Sequence, residues 1–213
     1  MSATVLAFGA TVPVPGEAPA AVSHVTYTLP PVPPGDHGDQ LVVLIGDSLS
    51  FLAAPQTEAL FRNDPDLRLS ASYYGGTELD TQAWVEGYAD VDPGSVVLLM
   101  LGINDLFNST ASDAATDAQA AIDAVKAAGA ARVVLVTVNS TGSTPGLGPS
   151  WLPKVRAYND WLRRAAAGDP VLEVADWDVV SRGHVDWLEA DQVHLNAAGQ
   201  LAYAQLTHDA ASG

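Results

Sequence analysis

The sequence predicts an α/β fold, a three-layer α/β/α sandwich around a five-stranded parallel sheet. From Leu41 onward, short apolar runs alternate with longer segments of helical periodicity, the pattern of successive βαβ units. Each run is apolar on both faces, as a parallel strand covered by helices on either side must be. The 213 residues are 48% hydrophobic and 16% charged, enough to bury a sizeable core and too apolar for a disordered chain or a coiled coil.

The first buried strand is LVVLI at 41–45. Further strands are expected at 67–74, 95–101, 132–138 and 171–176. Helical patterns lie between them at 52–62, 80–89, 113–129 and 153–167, and a last one at 196–211 begins after Leu195 with Asn196 as its cap. Right-handed crossovers put helices on both faces, and ligands then bind outside the carboxyl ends of the strands. Residues 1–39 read as an extension to a domain spanning 40–213. Pro13, Pro15, Pro19, Pro30, Pro31, Pro33 and Pro34 crowd this stretch, which holds few large apolar residues and one candidate edge strand, VSHVTYTL at 22–29.

The chemistry-bearing residues gather at the expected strand ends. The first strand ends in Gly46-Asp47-Ser48, where a glycine allows a tight turn and Ser48 is placed near a helix N-terminus, either as a nucleophile or simply as the helix cap. The second runs into Tyr73-Tyr74-Gly75-Gly76-Thr77. Paired glycines there can bring a bare backbone N–H to a substrate oxygen, or make an ordinary turn. The third ends in Gly102-Ile103-Asn104-Asp105, where Asn104 could aim its amide at an oxyanion while Asp105 supports the loop; an Asx-turn is the alternative. Asp191-Gln192-Val193-His194 sets a carboxylate and an imidazole three residues apart, a spacing that lets the carboxylate engage one ring nitrogen while the other faces a serine.

Taken together and in this order, GDS at 46–48, the glycine at 75, GIND at 102–105 and DQVHLN at 191–196 resemble the four blocks of the SGNH, or GDSL, hydrolase superfamily over about 41–208. The resemblance implies the flavodoxin-like fold of that superfamily, with Ser48 as nucleophile, His194 as general base and Asp191 orienting it. It also implies an oxyanion hole made by the N–H of Ser48, the N–H of Gly75 in preference to Gly76, and the side chain of Asn104. Asp47 belongs to the motif without a direct chemical role. A second likeness, in VADWDVVSRGH at 174–184, Trp187, the 191–196 loop and the 154–162 helix with Asn159 and Trp161, is to the SGNH domains of cell-wall O-acyltransferases, whose third block usually lacks the aspartate. The implied activity is hydrolysis of carboxylic esters of small to medium acyl groups. Acyl transfer to a glycan is the alternative, and a binding protein on an inactive fold is a third possibility that the intact set of residues argues against.

Nine Lys and Arg against 25 Asp and Glu give a formal charge of −16, which repels nucleic-acid backbones and anionic lipid headgroups. No apolar run approaches the ~20 residues of a membrane span. The absence of cysteine excludes disulfides, thiolate nucleophiles and Cys-ligated zinc. No dinucleotide or Walker loop follows the first strand, so neither cofactor nor metal is expected. Met1 to Ala21 lacks the charged start and apolar run of a secretory signal, so the protein stays inside the cell or has lost a leader or a membrane domain, with the Pro-rich 11–36 segment as the former linker. A monomer is expected, with a small-molecule or glycan ester as its partner. Tyr73, Tyr74, Phe107, Leu147, Trp151, Leu152 and Trp187 are candidates to line the pocket, and 142–149 reads as a loop. His24, His37 and His208 read as surface residues.

Overall fold

The computed structural model describes residues 40–73, 75–76, 78–79, 87–141 and 148–213. The extension with its candidate strand at 22–29, His24 and His37, most of the helix expected at 80–89, Tyr74, Leu147 and most of the 142–149 loop lie outside these residues. Five strands form one parallel sheet: β1 (Gln40–Gly46), β2 (Leu67–Tyr73), β3 (Val96–Met100), β4 (Arg132–Val136) and β5 (Leu172–Ala175), in the order β2-β1-β3-β4-β5. Every residue of β3 is buried, whereas the edge strands β2 and β5 have half-exposed positions, as central and edge places demand.

The helices are α1 (Ser48–Asn63), α2 (Ile103–Asn108), α3 (Ala111–Ala127), α4 (Trp151–Gly168), α5 (Trp177–Val180) and α6 (Ala197–Ser212), with a single 3₁₀ turn at Val185–Trp187. α1 packs against α6, and α3 against α4. A full capping box starts α3, Thr110 accepting from the Asp113 N–H and Asp113 from that of Thr110. Asn196 caps α6 as its sequence position suggests, accepting from the N–H groups of Ala198 and Gly199.

Strand order reverses between β1 and β3, because β1 leads outward to β2 while the chain from β3 proceeds the other way. A crevice opens at such a switch point, beyond the carboxyl ends of the strands. α4 braces this edge from below. Its Asn159, wholly buried, donates to the Val138 carbonyl (2.7 Å) and accepts from the Val138 N–H (2.9 Å) just past β4. Arg163 makes a bidentate pair with Asp176 at the end of β5, at 2.8 Å to each oxygen.

Candidate active site

β1 delivers the serine through a crowded turn. A Cβ on Gly46 would lie 2.3 Å from the Ser50 hydroxyl, so the glycine is required by close approach of the first helical turn and not by an unusual φ. Asp47, not Ser48, caps α1: its side chain accepts from the Leu49 N–H at 2.9 Å, and its own N–H donates to the Met100 carbonyl of β3 at 3.3 Å. Ser48 is therefore the first helical residue, which leaves its hydroxyl unencumbered by the capping role.

Asp47 is almost fully buried, and burial pushes its carboxyl up to about 7 against the opposing pull of the Leu49 N–H and of His194; Asp105 adds to the rise. A carboxyl whose folded pKa lies above its unfolded value holds its proton longer in the folded state, so stability falls as pH rises from about 4 to about 7. Asp47→Asn keeps an equally good cap without the ionisation. Its unfolding free energy relative to wild type is expected to climb from near zero at pH 4 to roughly 1–4 kcal/mol at pH 8, measured by urea denaturation across that range.

The histidine is presented by a loop closed at its base by an antiparallel bridge between Leu188 and Leu195. Within it the Glu189 N–H donates to the His194 carbonyl (2.8 Å), the Gln192 N–H donates to the Glu189 carbonyl (2.9 Å), and Gln192 takes a left-handed φ of 57°. Asp191 Oδ1 accepts from the N–H groups of Val193 and His194, both at 2.9 Å, while Oδ2 lies 2.6 Å from His194 Nδ1. Burial raises the Asp191 carboxyl, but these hydrogen bonds and the imidazole outweigh it and hold the group below its ordinary range. An ionised carboxylate only accepts, so the imidazole hydrogen sits on Nδ1 and Nε2 offers a lone pair. That Nε2 is 3.2 Å from Ser48 Oγ.

The loop's base rests on an aromatic column. Trp177, wholly buried, stacks on Trp187 at 5.9 Å and meets the edge of Tyr203 at 5.0 Å, and His184 also stacks on Trp187 at 3.8 Å. Asn196 donates to the Asp186 carbonyl (2.6 Å) besides capping α6. A Cβ on Gly199 would come within 2.4 Å of the Trp187 carbonyl, so α6 approaches the loop's base more closely than any other residue allows.

The two remaining blocks reach the same edge. Gly46 is in register with Tyr73 of β2 and Met100 of β3, so Ser48 and Gly75 each follow two residues past a common level. Asn104 lies in the first turn of α2. Gly102, at φ 119°, starts that helix, and a Cβ there would sit 2.5 Å from the Tyr158 hydroxyl. At the other end of α2, Lys154 donates to the carbonyls of Leu106 (2.6 Å) and Ser109 (2.7 Å). Of the glycine pair, Gly76 has the left-handed φ of 75°, and no atom of the described residues lies within 4 Å of where a Cβ on Gly75 would be.

Residues 44–202 match the GDSL-like Lipase/Acylhydrolase family. The chain belongs to that family. It is a serine hydrolase of the SGNH type, and its parallel sheet flanked by helices is the fold of that superfamily. Among solved structures, an acetyl xylan esterase is 20% identical with a TM-score of 0.65, over 80% of this chain and 98% of its own. The catalytic domain of peptidoglycan O-acetyltransferase A from Streptococcus pneumoniae, carrying a methylsulfonyl adduct, is 21% identical with a TM-score of 0.58, over 82% and 93%. A psychrotrophic esterase from Pseudoalteromonas sp. is 19% identical with a TM-score of 0.57, over 80% and 96%. No curated protein matches the sequence.

Within this GDSL-type hydrolase the structure revises the expected pocket lining. Tyr73 is 1% exposed and Trp151 5%, so both serve the core. Phe107, stacked on Trp151 at 4.6 Å, is the member of that set that reaches solvent most openly among the described residues, at 36%. Leu152 and Trp187 are partly buried and pack against the core, Trp187 also stacking with Trp177 and His184. His208 is not a free surface group: it pairs with Asp64 at 3.0 Å and meets the edge of Phe61, joining α6 to the end of α1. Among the described residues, no group of three His, Cys, Asp or Glu side chains could hold a metal ion, and no helix is long and apolar enough to cross a membrane.

Proposed function

We propose that the protein is a serine esterase that cleaves carboxylic esters of small to medium acyl groups through an acyl-enzyme on Ser48. The observation that carries this reading is the unbroken chain from Asp191 Oδ2 through His194 Nδ1 (2.6 Å) and from His194 Nε2 to Ser48 Oγ (3.2 Å). His194 Nε2 takes the hydroxyl proton as Oγ bonds to the ester carbonyl carbon, and the imidazolium is steadied by Asp191. The oxyanion is received by the N–H of Ser48, at the positive end of α1, with the N–H of Gly75 and the Asn104 side chain. His194 then returns the proton to the departing alcohol, and a water activated by the same imidazole releases the acid and restores Ser48.

A second reading, acetyl transfer to a glycan by the same serine, draws on the run from β5 through α5 and the 3₁₀ turn to the 191–196 loop, where the sequence resembles cell-wall O-acyltransferases. Both an acetyl xylan esterase and a peptidoglycan O-acetyltransferase are among the structural relatives, which makes acetylated sugars the first natural esters to try. The test is a ladder of p-nitrophenyl esters from acetate to palmitate, with wild type and Ser48→Ala, with and without a chitooligosaccharide acceptor. Turnover of the short esters by wild type alone supports the esterase. Acetylated oligosaccharide formed in preference to acetate favours the transferase. Equal, background rates for both proteins across the ladder overturn the esterase reading for simple esters.

A further inference from the structure

Asp105 is a buried carboxyl group that the proton-transfer chain does not use. It is 3% exposed and follows Asn104 in the first turn of α2. Its Oδ1 accepts a 3.1 Å hydrogen bond from the backbone N–H of Leu79, 26 residues earlier in the chain. Its Oδ2 is also buried and has no hydrogen-bond partner among the described residues. Burial, reinforced by Glu78 and Asp117, pushes the group up to about 6 in spite of the Leu79 N–H. A buried carboxyl at such a cost is an uneconomical way to fill space; what it does supply is an acceptor for one particular backbone N–H.

That N–H belongs to the segment that carries Gly75. The β1–β2 ladder ends at the Gly46–Tyr73 pair, two residues before Gly75. Leu79, itself 4% exposed, anchors the segment four residues further on. α2 grips it twice, through Asp105 on the Leu79 N–H and through Asn108, which donates to the Glu78 carboxylate. α2 is in turn fixed at its start by Gly102 against Tyr158 and at its end by Lys154.

We propose that Asp105 is a positioning residue of the oxyanion hole, its hydrogen bond to the Leu79 N–H setting the Gly75 segment at a fixed distance from Asn104. The inference rests on the esterase reading for its catalytic consequence, while the hydrogen bond itself can be read without catalysis. A donor displaced by about 1 Å can cost on the order of 10²-fold in rate, and the loss falls on the transition state and not on substrate binding.

The experiment compares wild type, Asp105→Asn and Asp105→Ala on p-nitrophenyl acetate, with active sites counted by mass spectrometry after labelling with methanesulfonyl fluoride. The amide still presents an oxygen to Leu79, so Asp105→Asn is expected to keep kcat within about threefold. Asp105→Ala is expected to lose about 10–10²-fold in kcat per labelled site with KM changed less than about threefold, and to bind an alkyl boronic acid, a tetrahedral mimic, more weakly in proportion. If the alanine variant does not fold, Asp105→Leu, which fills the space without an acceptor, carries the same expectation. Wild-type kcat per site in the alanine or leucine variant, a loss confined to KM, or an equal loss in Asp105→Asn overturns the proposal. Amide hydrogen exchange at Leu79 separates the two readings: faster exchange in Asp105→Ala than in Asp105→Asn supports the tie even if the wild type cleaves no ester, and equal exchange in the two overturns it.

Discussion

Ser48→Ala is expected to reduce ester turnover by on the order of 10⁴-fold or more while leaving the protein folded. Ser48 is the first residue of α1 and its capping duty is taken by Asp47, so removing the hydroxyl deletes no cap and no backbone bond. What it removes is the group 3.2 Å from His194 Nε2. His194→Ala should cost a similar amount, because the hydroxyl then has no base to take its proton. The double variant should be scarcely worse than either single one, since each already breaks the same unit. Rate constants on p-nitrophenyl acetate for the three variants, beside their thermal unfolding curves, check this. Full multiplicative loss in the double variant would mean that Ser48 and His194 act separately.

The second large effect is expected from Asp191→Asn, at about 10³–10⁴-fold in kcat. Asp191 divides its two oxygens: Oδ1 serves the N–H groups of Val193 and His194 and shapes the loop, and Oδ2 serves the imidazole. An asparagine can keep its oxygen on the two backbone N–H groups and so preserve the loop. Its amide nitrogen then faces His194 Nδ1 as a donor, which forces the ring hydrogen onto Nε2, where it points at the Ser48 hydroxyl and can no longer accept its proton. Activity should fall with little change in melting temperature. Nitrogen NMR of the imidazole should report the other tautomer; an Asn variant with the wild-type tautomer and the full rate loss would contradict this account. Asp191→Ala should lower stability as well, because two N–H groups lose their acceptor.

The five strands were legible to within about two residues: β1, β3 and β4 are nearly continuous apolar runs, as doubly covered parallel strands require, whereas the edge strands β2 and β5 carry polar residues such as Arg68 and Glu173 at exposed positions. The four blocks were legible because each falls at a strand end or just before the last helix. Other features depend on what lies across space. Asp and Ser are both good caps, so only the Asp47 side chain lying on the Leu49 N–H decides which of them starts α1. α2 is six residues long, too short for its periodicity to stand out. Gly75 and Gly76 look alike in sequence, and only the backbone shows that the second has a left-handed φ. Tyr73 alternates like a pocket residue but ends inside the core, and the tie from Asp105 to Leu79 joins segments that no sequence spacing relates.

The hydrogen bond between Ser48 and His194 joins residues 146 positions apart, and α6, which follows the histidine loop directly, packs along α1, which begins with the serine. Neither end of the chain holds a working fragment of the site. During synthesis the serine and its helix emerge before β2, β3, β4, β5 and the histidine loop, so the hydroxyl has no imidazole beside it until that loop is made and docked. If the proposed mechanism holds, the serine is chemically silent until the histidine loop docks, and recovery of activity after dilution from denaturant reports that docking step rather than an average over refolding.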